Sequence, residues 1–372
     1  MRLVFIDFIN WDYTPETPWE RPLGGTQSGA CYLMTALASS GHDVSLLNNT
    51  RSVGRYRGVQ CVPLVTETEP LKELFAFLAP DVVVVLSSSS SGYQLRSLVP
   101  LETRLFLWTG HAVDQPHHAA LAEEKIRTAW DGFIFMGTWQ LETVCERYGL
   151  NPSRAVSLGM GIAPVFESLF EEGESILRWK RERPVLAYTS TPFRGLDLLL
   201  DCFPEIYERI PGVELRVYSS MKIYQVEEGD DRFGGLYKRC RDMPGVVYVG
   251  PKPQHQLAKE LKKAAVLAYP NTFEETACVA MMEAMASGCA VVSSYLGALP
   301  ETCAGFGRLL GEAPKSLEYK TSFIEAVVAS VEEVMKDPED TMESLLRAQV
   351  DYCNQAYGWT KRSREWVRWL ER

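Results

Sequence analysis

The stretch Tyr269–Ser293, YPNTFEETACVAMMEAMASGCAVVS, decides how the chain is read. An apolar run, Ala264 to Tyr269, leads into a polar loop with two adjacent carboxylates, Glu274 and Glu275. The run Ala277 to Ser287 has the composition of a helix and carries Glu283. Gly288 can end that helix in the left-handed conformation that glycine adopts at little cost. A second apolar run, Ala290 to Ser293, begins at once. These segments make a parallel βαβ unit, and ligands of such sheets sit outside the carboxyl ends of the strands. Glu275 therefore falls at the mouth of a site, next to a helix N-terminus that favours anions.

The same alternation extends outward. Upstream lie a strand at Val185–Tyr188, the turn Thr189–Gly195, a helix at Leu196–Arg209, strands at Val213–Tyr218 and Val246–Val249, and a helix at Gln254–Lys263. The first half repeats the pattern, with strands at Leu3–Ile9, Val44–Leu47, Val82–Leu86, Leu105–Trp108, Gly132–Met136 and Ala155–Leu158. A helix opens at Gly24-Gly25-Thr26 and another at Thr138. Polar or glycine-rich residues close most of the strands. The expectation is an α/β protein with two doubly wound parallel sheets. The first domain is placed at 1–165, the second at 166–355, and a last helix at 356–372. The charged segment Ala163–Arg183 reads as the linker, with Glu171, Glu172 and Glu174 in solvent. The tail reads as helices at Tyr319–Lys336, Pro338–Tyr357 and Thr360–Leu370.

A chain of 372 residues is long enough for two cores. Its 46% hydrophobic and 23% charged content is that of a globular protein. A net charge of −10 argues against a dedicated nucleic-acid binder. Nine cysteines without a CxxC pair argue against a disulfide framework or a zinc site and suit a reducing cytoplasm. The first twelve residues read as a strand, not a signal peptide, and no apolar stretch is long enough to span a bilayer.

Glu275 and Glu283 are separated by seven residues, and Glu283 sits among Val279, Met281, Met282 and Met285. Taken alone, a helix glutamate faces solvent or pairs with a lysine, since a buried carboxylate without donors is costly. The run Glu275-Thr-Ala-Cys-Val-Ala-Met-Met-Glu283-Ala-Met-Ala-Ser-Gly288, with Gly297-Ala298-Leu299-Pro300-Glu301 after it, resembles the E-x7-E signature of the retaining GT-B glycosyltransferases of family 4. The resemblance is close in the C-terminal half and at a few N-terminal positions.

It implies two Rossmann-like domains facing across a cleft and a C-terminal helix crossing back to the first. It also implies transfer of a sugar from a UDP-, GDP- or dTDP-linked donor to a glycan, lipid-linked or protein acceptor. No acidic D-x-D-like motif lies at a strand end, so neither cofactor nor metal is expected. Glu283 would hold the ribose hydroxyls and Glu275 the donor sugar. The amides around Thr276, Ala277, Cys278 and Val279 would lie near the diphosphate. Arg194 would bind the phosphates, although Thr189 stands where many members carry a second arginine. Gly24 and Gly25 match the N-terminal glycine loop, and His111 matches a histidine that contacts the reacting sugar. Read as bare residues, the glycines are equally a helix-start turn, and His117 and His118 compete with His111. The Trp359, Trp366 and Trp369 helix reads as a buried face, with contact to an anionic membrane surface from the cytoplasmic side as its rival. The alternatives in function are another GT-B enzyme, an epimerase or phosphorylase, or a catalytically silent nucleotide-sugar-binding protein.

Overall fold

The structure, a computed structural model, describes residues 1–336 and 340–372. The chain forms two compact units. The first comprises residues 1–17, 26–160 and 359–372; the second comprises 18–25 and 161–358.

The first unit holds an eight-stranded sheet among the described residues. Its strands are β1 (Arg2–Asp7), β2 (Asp43–Asn48), β3 (Gly54–Tyr56), β4 (Val59–Pro63), β5 (Val82–Leu86), β6 (Arg104–Thr109), β7 (Gly132–Phe135) and β8 (Ala155–Ser157). They are ordered β3-β4-β2-β1-β5-β6-β7-β8, and all neighbours are parallel except β3 and β4. β5 is VVVVL and every residue is buried, as a central parallel strand covered on both faces requires. The helix Trp359–Leu370 belongs to this unit. Its buried residues Trp359, Ser363, Trp366 and Leu370 lie at helical spacing. Trp366 packs edge-on to Trp108 at 4.8 Å and also meets Phe5, while Trp359 meets Tyr32. The tryptophan stripe is thus a core face, although Trp369 is only half-buried.

The second unit carries β9 (Val185–Tyr188), β10 (Glu214–Val217), β11 (Val246–Tyr248), β12 (Val266–Tyr269), β13 (Ala290–Ser294) and β14 (Arg308–Leu310). These form a parallel sheet in the order β11-β10-β9-β12-β13-β14. The order reverses between β9 and β12, and that is where such sheets place their ligands.

Several elements depart from the expected ones. The β3–β4 hairpin, the helices Thr68–Leu78 and Gly234–Asp242, and β14 were not foreseen. The expected start of a tail helix at Pro338 lies outside the described residues; that helix is described over Thr341–Ala356.

The segment 163–183 is not a solvated linker. Ile176, Leu177 and Lys180 are buried, and Glu174 forms an ion pair with Lys262 at 2.8 Å. The Lys180 ammonium donates to the carbonyls of Leu261, Lys262, Ala264 and Ser287 at 2.8–3.3 Å. Those carbonyls end the helices Gln254–Leu261 and Val279–Ala286, whose last turns have no intrahelical donors and carry the negative end of the dipole. One buried cation therefore ties two helix ends to this segment. Its burial is made tolerable by four acceptors.

Candidate active site

β9 and β12 lie side by side, and both end in tyrosine. Beyond β9 the chain turns through Thr189–Gly195. Gly195 has φ of 110°, and the Pro270 carbonyl occupies the place a Cβ would take. Only glycine lets the two backbones approach so closely there. The approach brings Arg194, on the β9 turn, to Glu275, on the loop after β12.

Glu275 is 2% exposed. The Arg194 Nη1 donates to its two carboxylate oxygens at 2.7 and 2.8 Å, and the Tyr269 hydroxyl donates to Oε1 at 2.6 Å. Burial and the adjacent carboxylate push the Tyr269 phenol well above its ordinary range, so it remains a donor. The Arg194 guanidinium lies 4.7 Å from the Phe273 ring centroid and 5.5 Å from that of Phe193. Burial disfavours its charge, but the Glu275 carboxylate leads the opposing influences and raises its pKa overall. Behind this pair, the Ala298 amide donates to the Glu275 carbonyl at 2.7 Å. Gly297, at φ of 56°, makes that contact possible: a Cβ there would lie 2.6 Å from the Glu275 carbonyl oxygen.

Glu283 lies on the helix Val279–Ala286 and is 4% exposed. Its carboxylate accepts from the Ala163 amide at 3.3 Å, and the Gln254 side chain also favours its charged form. Burial pushes its pKa up to about 8, against the pull of those two groups. The solvent-facing glutamate of the bare reading is therefore corrected: a carboxylate is held inside beside neutral groups. Cys278 is the N-cap of this helix, Val279 its first residue, and Thr276 is buried before it. Gly288, at φ of 68°, ends it, as expected.

Three hydroxyls near these strand ends are buried and make no hydrogen bond: Thr189 Oγ1, Thr191 Oγ1 and Ser219 Oγ. Thr189 and Thr191 follow β9, and Ser219 follows β10. Arg194 Nε is likewise buried and unpartnered.

Among the expected residues, Arg194 and Glu275 meet directly, and Glu283 is held in the same unit. Gly24 and Gly25 also fall in the second unit. Gly25 opens a helix with a negative φ, and a Cβ there would meet nothing within 4 Å, so neither strain nor packing demands glycine.

His111 belongs to the first unit. It stacks on His117 with centroids 3.5 Å apart and rings 7° from parallel, and it meets His118 edge-on at 6.4 Å. Its Nδ1 is buried without a partner. Burial, then the two neighbouring imidazoles, pull its pKa down to about 3, so the ring is neutral. His118, fully buried, bonds to Thr109 Oγ1 through Nε2 at 3.0 Å and serves the loop's structure. Tyr269 and Gln254 were not foreseen. The signal for Tyr269 was present, as a polar-tipped aromatic closing an aliphatic strand.

Residues 183–332 match the family model described as Glycosyl transferases group 1. The chain is 25% identical over 187 residues to a D-inositol 3-phosphate glycosyltransferase of Corynebacterium aurimucosum; the match covers 48% of this chain and 44% of that protein. The chain thus spans less than half the length of that curated relative. Among solved structures, it is similar to a glycosyltransferase from Rickettsia africae with a TM-score of 0.71 and 10% identity, covering 99% of this chain and 98% of that one. It is also similar to Anabaena HepE in complex with UDP-glucose, at a TM-score of 0.67 and 14% identity, covering 99% of each. Residues 183–332 thus match the group 1 glycosyltransferases, and the chain as a whole has the GT-B fold of the similar structures.

Proposed function

We propose that this protein is a retaining glycosyltransferase that moves a sugar from a nucleoside-diphosphate donor, UDP in the first instance, to a hydroxyl acceptor. The observation that carries the reading is the state of the two E-x7-E carboxylates. Glu283 is buried with the neutral Ala163 amide as its donor, and among the described residues no ion pair joins it. A carboxylate so placed suits a ligand that brings its own O–H donors, as a ribose diol does. Glu275 stands at the carboxyl ends of β9 and β12, its charge balanced by Arg194, where a donor sugar would lie.

This arrangement bears on the leaving group. The cation expected to face the diphosphate is already paired with Glu275, and Thr189 occupies the place of a second one. The unpartnered hydroxyls of Thr189, Thr191 and Ser219, with Arg194 Nε, are the free donors at these strand ends. Donors fixed before the reaction stabilise developing charge without reorganisation. They would take the departing diphosphate, whose own oxygen would accept the acceptor's proton. The reaction so drawn uses no divalent cation, which the comparison with and without EDTA below tests. The UDP-glucose complex of HepE supports the choice of donor.

The test is binding and slow hydrolysis of UDP-, GDP- and dTDP-sugars by the purified protein, with and without EDTA. Hydrolysis insensitive to EDTA, giving a sugar that NMR shows with the donor's anomeric configuration, is the expected result. Absence of both binding and hydrolysis would overturn the reading. The Arg194–Glu275 pairing favours one rival, a nucleotide-sugar-binding protein without turnover; binding without hydrolysis or transfer to any acceptor supports that rival.

A further inference from the structure

We propose that the outward face of the helix Trp359–Leu370 is a docking surface for an anionic phospholipid bilayer, held by charge and without insertion. The face belongs to the first unit, and its occupancy is independent of the nucleotide-sugar reading above.

Residues 359–372 hold five basic and two acidic side chains, in a chain whose net charge is −10. The helix turns one side to the core, through Trp359, Ser363, Trp366 and Leu370. At about 100° of turn per residue, Lys361, Arg364 and Arg368 fall within about 60° of one another, on the opposite side. All three are exposed, as is Arg372 in the turn that follows. Among the described residues, Arg364, Arg368 and Arg372 are in no ion pair. Of the two acids, Glu365 meets Arg362 at 2.9 Å and Lys361 at 4.0 Å, and Glu371 is exposed beyond the helix end.

Local electrostatics oppose this pattern. The helix dipole favours anions in the first turn, yet that turn holds Lys361 and Arg362 and no acid. Arg362 has a structural reason to be there, since its Nε donates to the Met160 carbonyl at 3.0 Å. Arg364 and Arg368 stand four residues apart, where like charges repel. A merely solvated face would be better served by mixed charges, and natural sequences break local rules chiefly at functional sites.

An anionic plane is the partner that this geometry fits. Three cations in one row on a helix can meet a flat surface together. At physiological salt, charges beyond about 8 Å are screened, so the row acts apart from the chain's negative total. The apolar side of the helix is occupied by the core, so the contact is by charge alone and reversible. A flexible polyanion is held instead in a groove with aromatic platforms, and here Trp359 and Trp366 are buried. Trp369 is half-buried, with the Arg372 guanidinium 5.3 Å from its ring centroid, and tryptophan is a residue type that bilayer interfaces favour.

Co-sedimentation of the full chain with vesicles of phosphatidylcholine, with and without phosphatidylglycerol, tests this. Binding is expected to the mixed vesicles only, and should be lost at about 1 M salt, where the screening length falls to about 3 Å. Each cation near an anionic surface contributes about fivefold to partition, so Arg364→Glu with Arg368→Glu should weaken binding about twentyfold or more. The neutral pair Arg364→Gln with Arg368→Gln should fall between that variant and the wild type. Lys238→Glu with Lys259→Glu, both exposed on the second unit, makes the same change in net charge and should leave binding within about twofold. Failure of the wild type to bind mixed vesicles, equal binding to phosphatidylcholine alone, or equal losses in the two charge-reversed variants would each overturn the proposal. Retention on immobilised heparin without vesicle binding would give the row to a polyanionic chain and overturn it as well.

Discussion

Replacing Arg194 by alanine leaves the Glu275 side chain, 3% exposed, with Tyr269 as its remaining side-chain donor. Removing one partner of a buried pair costs about 3–5 kcal/mol, because the other charge stays buried. Arg194 is 23% exposed, so Glu275→Ala strands a charge that water can reach and should cost less. Urea unfolding of the two single variants checks this order, and equal losses would contradict it. Glu283 makes a different statement, through pH. Its folded pKa of about 8 lies above its ordinary value of 4.5. Between those values the folded state holds a proton that the unfolded state has released. The contribution to stability is therefore fully present below about 4.5 and declines as pH rises toward about 8, with a slope of up to about 1.4 kcal/mol per pH unit. Glu283→Gln should remove that slope from a plot of unfolding free energy against pH. UDP binding should strengthen across the same range in the wild type, since the ionised carboxylate accepts both O–H donors. An unchanged slope in the variant would show that Glu283 is not the titrating group.

At the scale of elements, the loop after β12 and the turn at Gly297 act as one device. The Ala298 amide holds the Glu275 carbonyl, and a Cβ at Gly297 would meet the Glu275 backbone at 2.6 and 2.8 Å. Gly297→Ala must push the loop aside and also strain a left-handed residue, at a cost of about 1 kcal/mol or more. Because the displaced atoms carry Glu275, the variant should lose donor hydrolysis by more than its loss in Tm accounts for. Wild-type turnover with a reduced Tm would separate the turn from the site. These elements were readable to different depths. β9 and β12 announce themselves as short aliphatic runs bounded by polar turns, and the intervening helices by their apolar period. The hairpin at 54–63 did not, because GRYRGVQCVP alternates charge and glycine without a clear apolar face. The helix Gly234–Asp242 begins with a glycine pair and has few apolar residues, so its propensity points elsewhere and packing of Tyr237 and Cys240 decides it. The site shows the same division. Glu275 and Glu283 are visible through their spacing, but Ala163 stands 120 residues from Glu283, and no local pattern announces that contact.

At the scale of the molecule, the chain's order and its units do not coincide. The first unit draws on residues 1–17, 26–160 and 359–372, while the second takes the whole of 161–358 and the short segment 18–25. The first unit's core includes Trp366, which is fully buried between Phe5 of β1 and Trp108 of β6. Removing a buried tryptophan costs about 3–5 kcal/mol, a large share of the 5–15 kcal/mol typical of a domain. Trp366→Ala should therefore loosen the first unit selectively. Hydrogen exchange resolves this, because opening free energies are read segment by segment. Exchange should quicken in β1, β5 and β6 of the variant and stay as in the wild type in β9, β12 and the helix Val279–Ala286. UDP at about 100 times its Kd stabilises what binds it by about 2.7 kcal/mol. That protection should appear in the helices Gln254–Leu261 and Val279–Ala286 of wild type and variant alike. If Trp366→Ala quickens exchange in β9 and β12 as much as in β1, the two units unfold as one, and the independence of their cores is refuted.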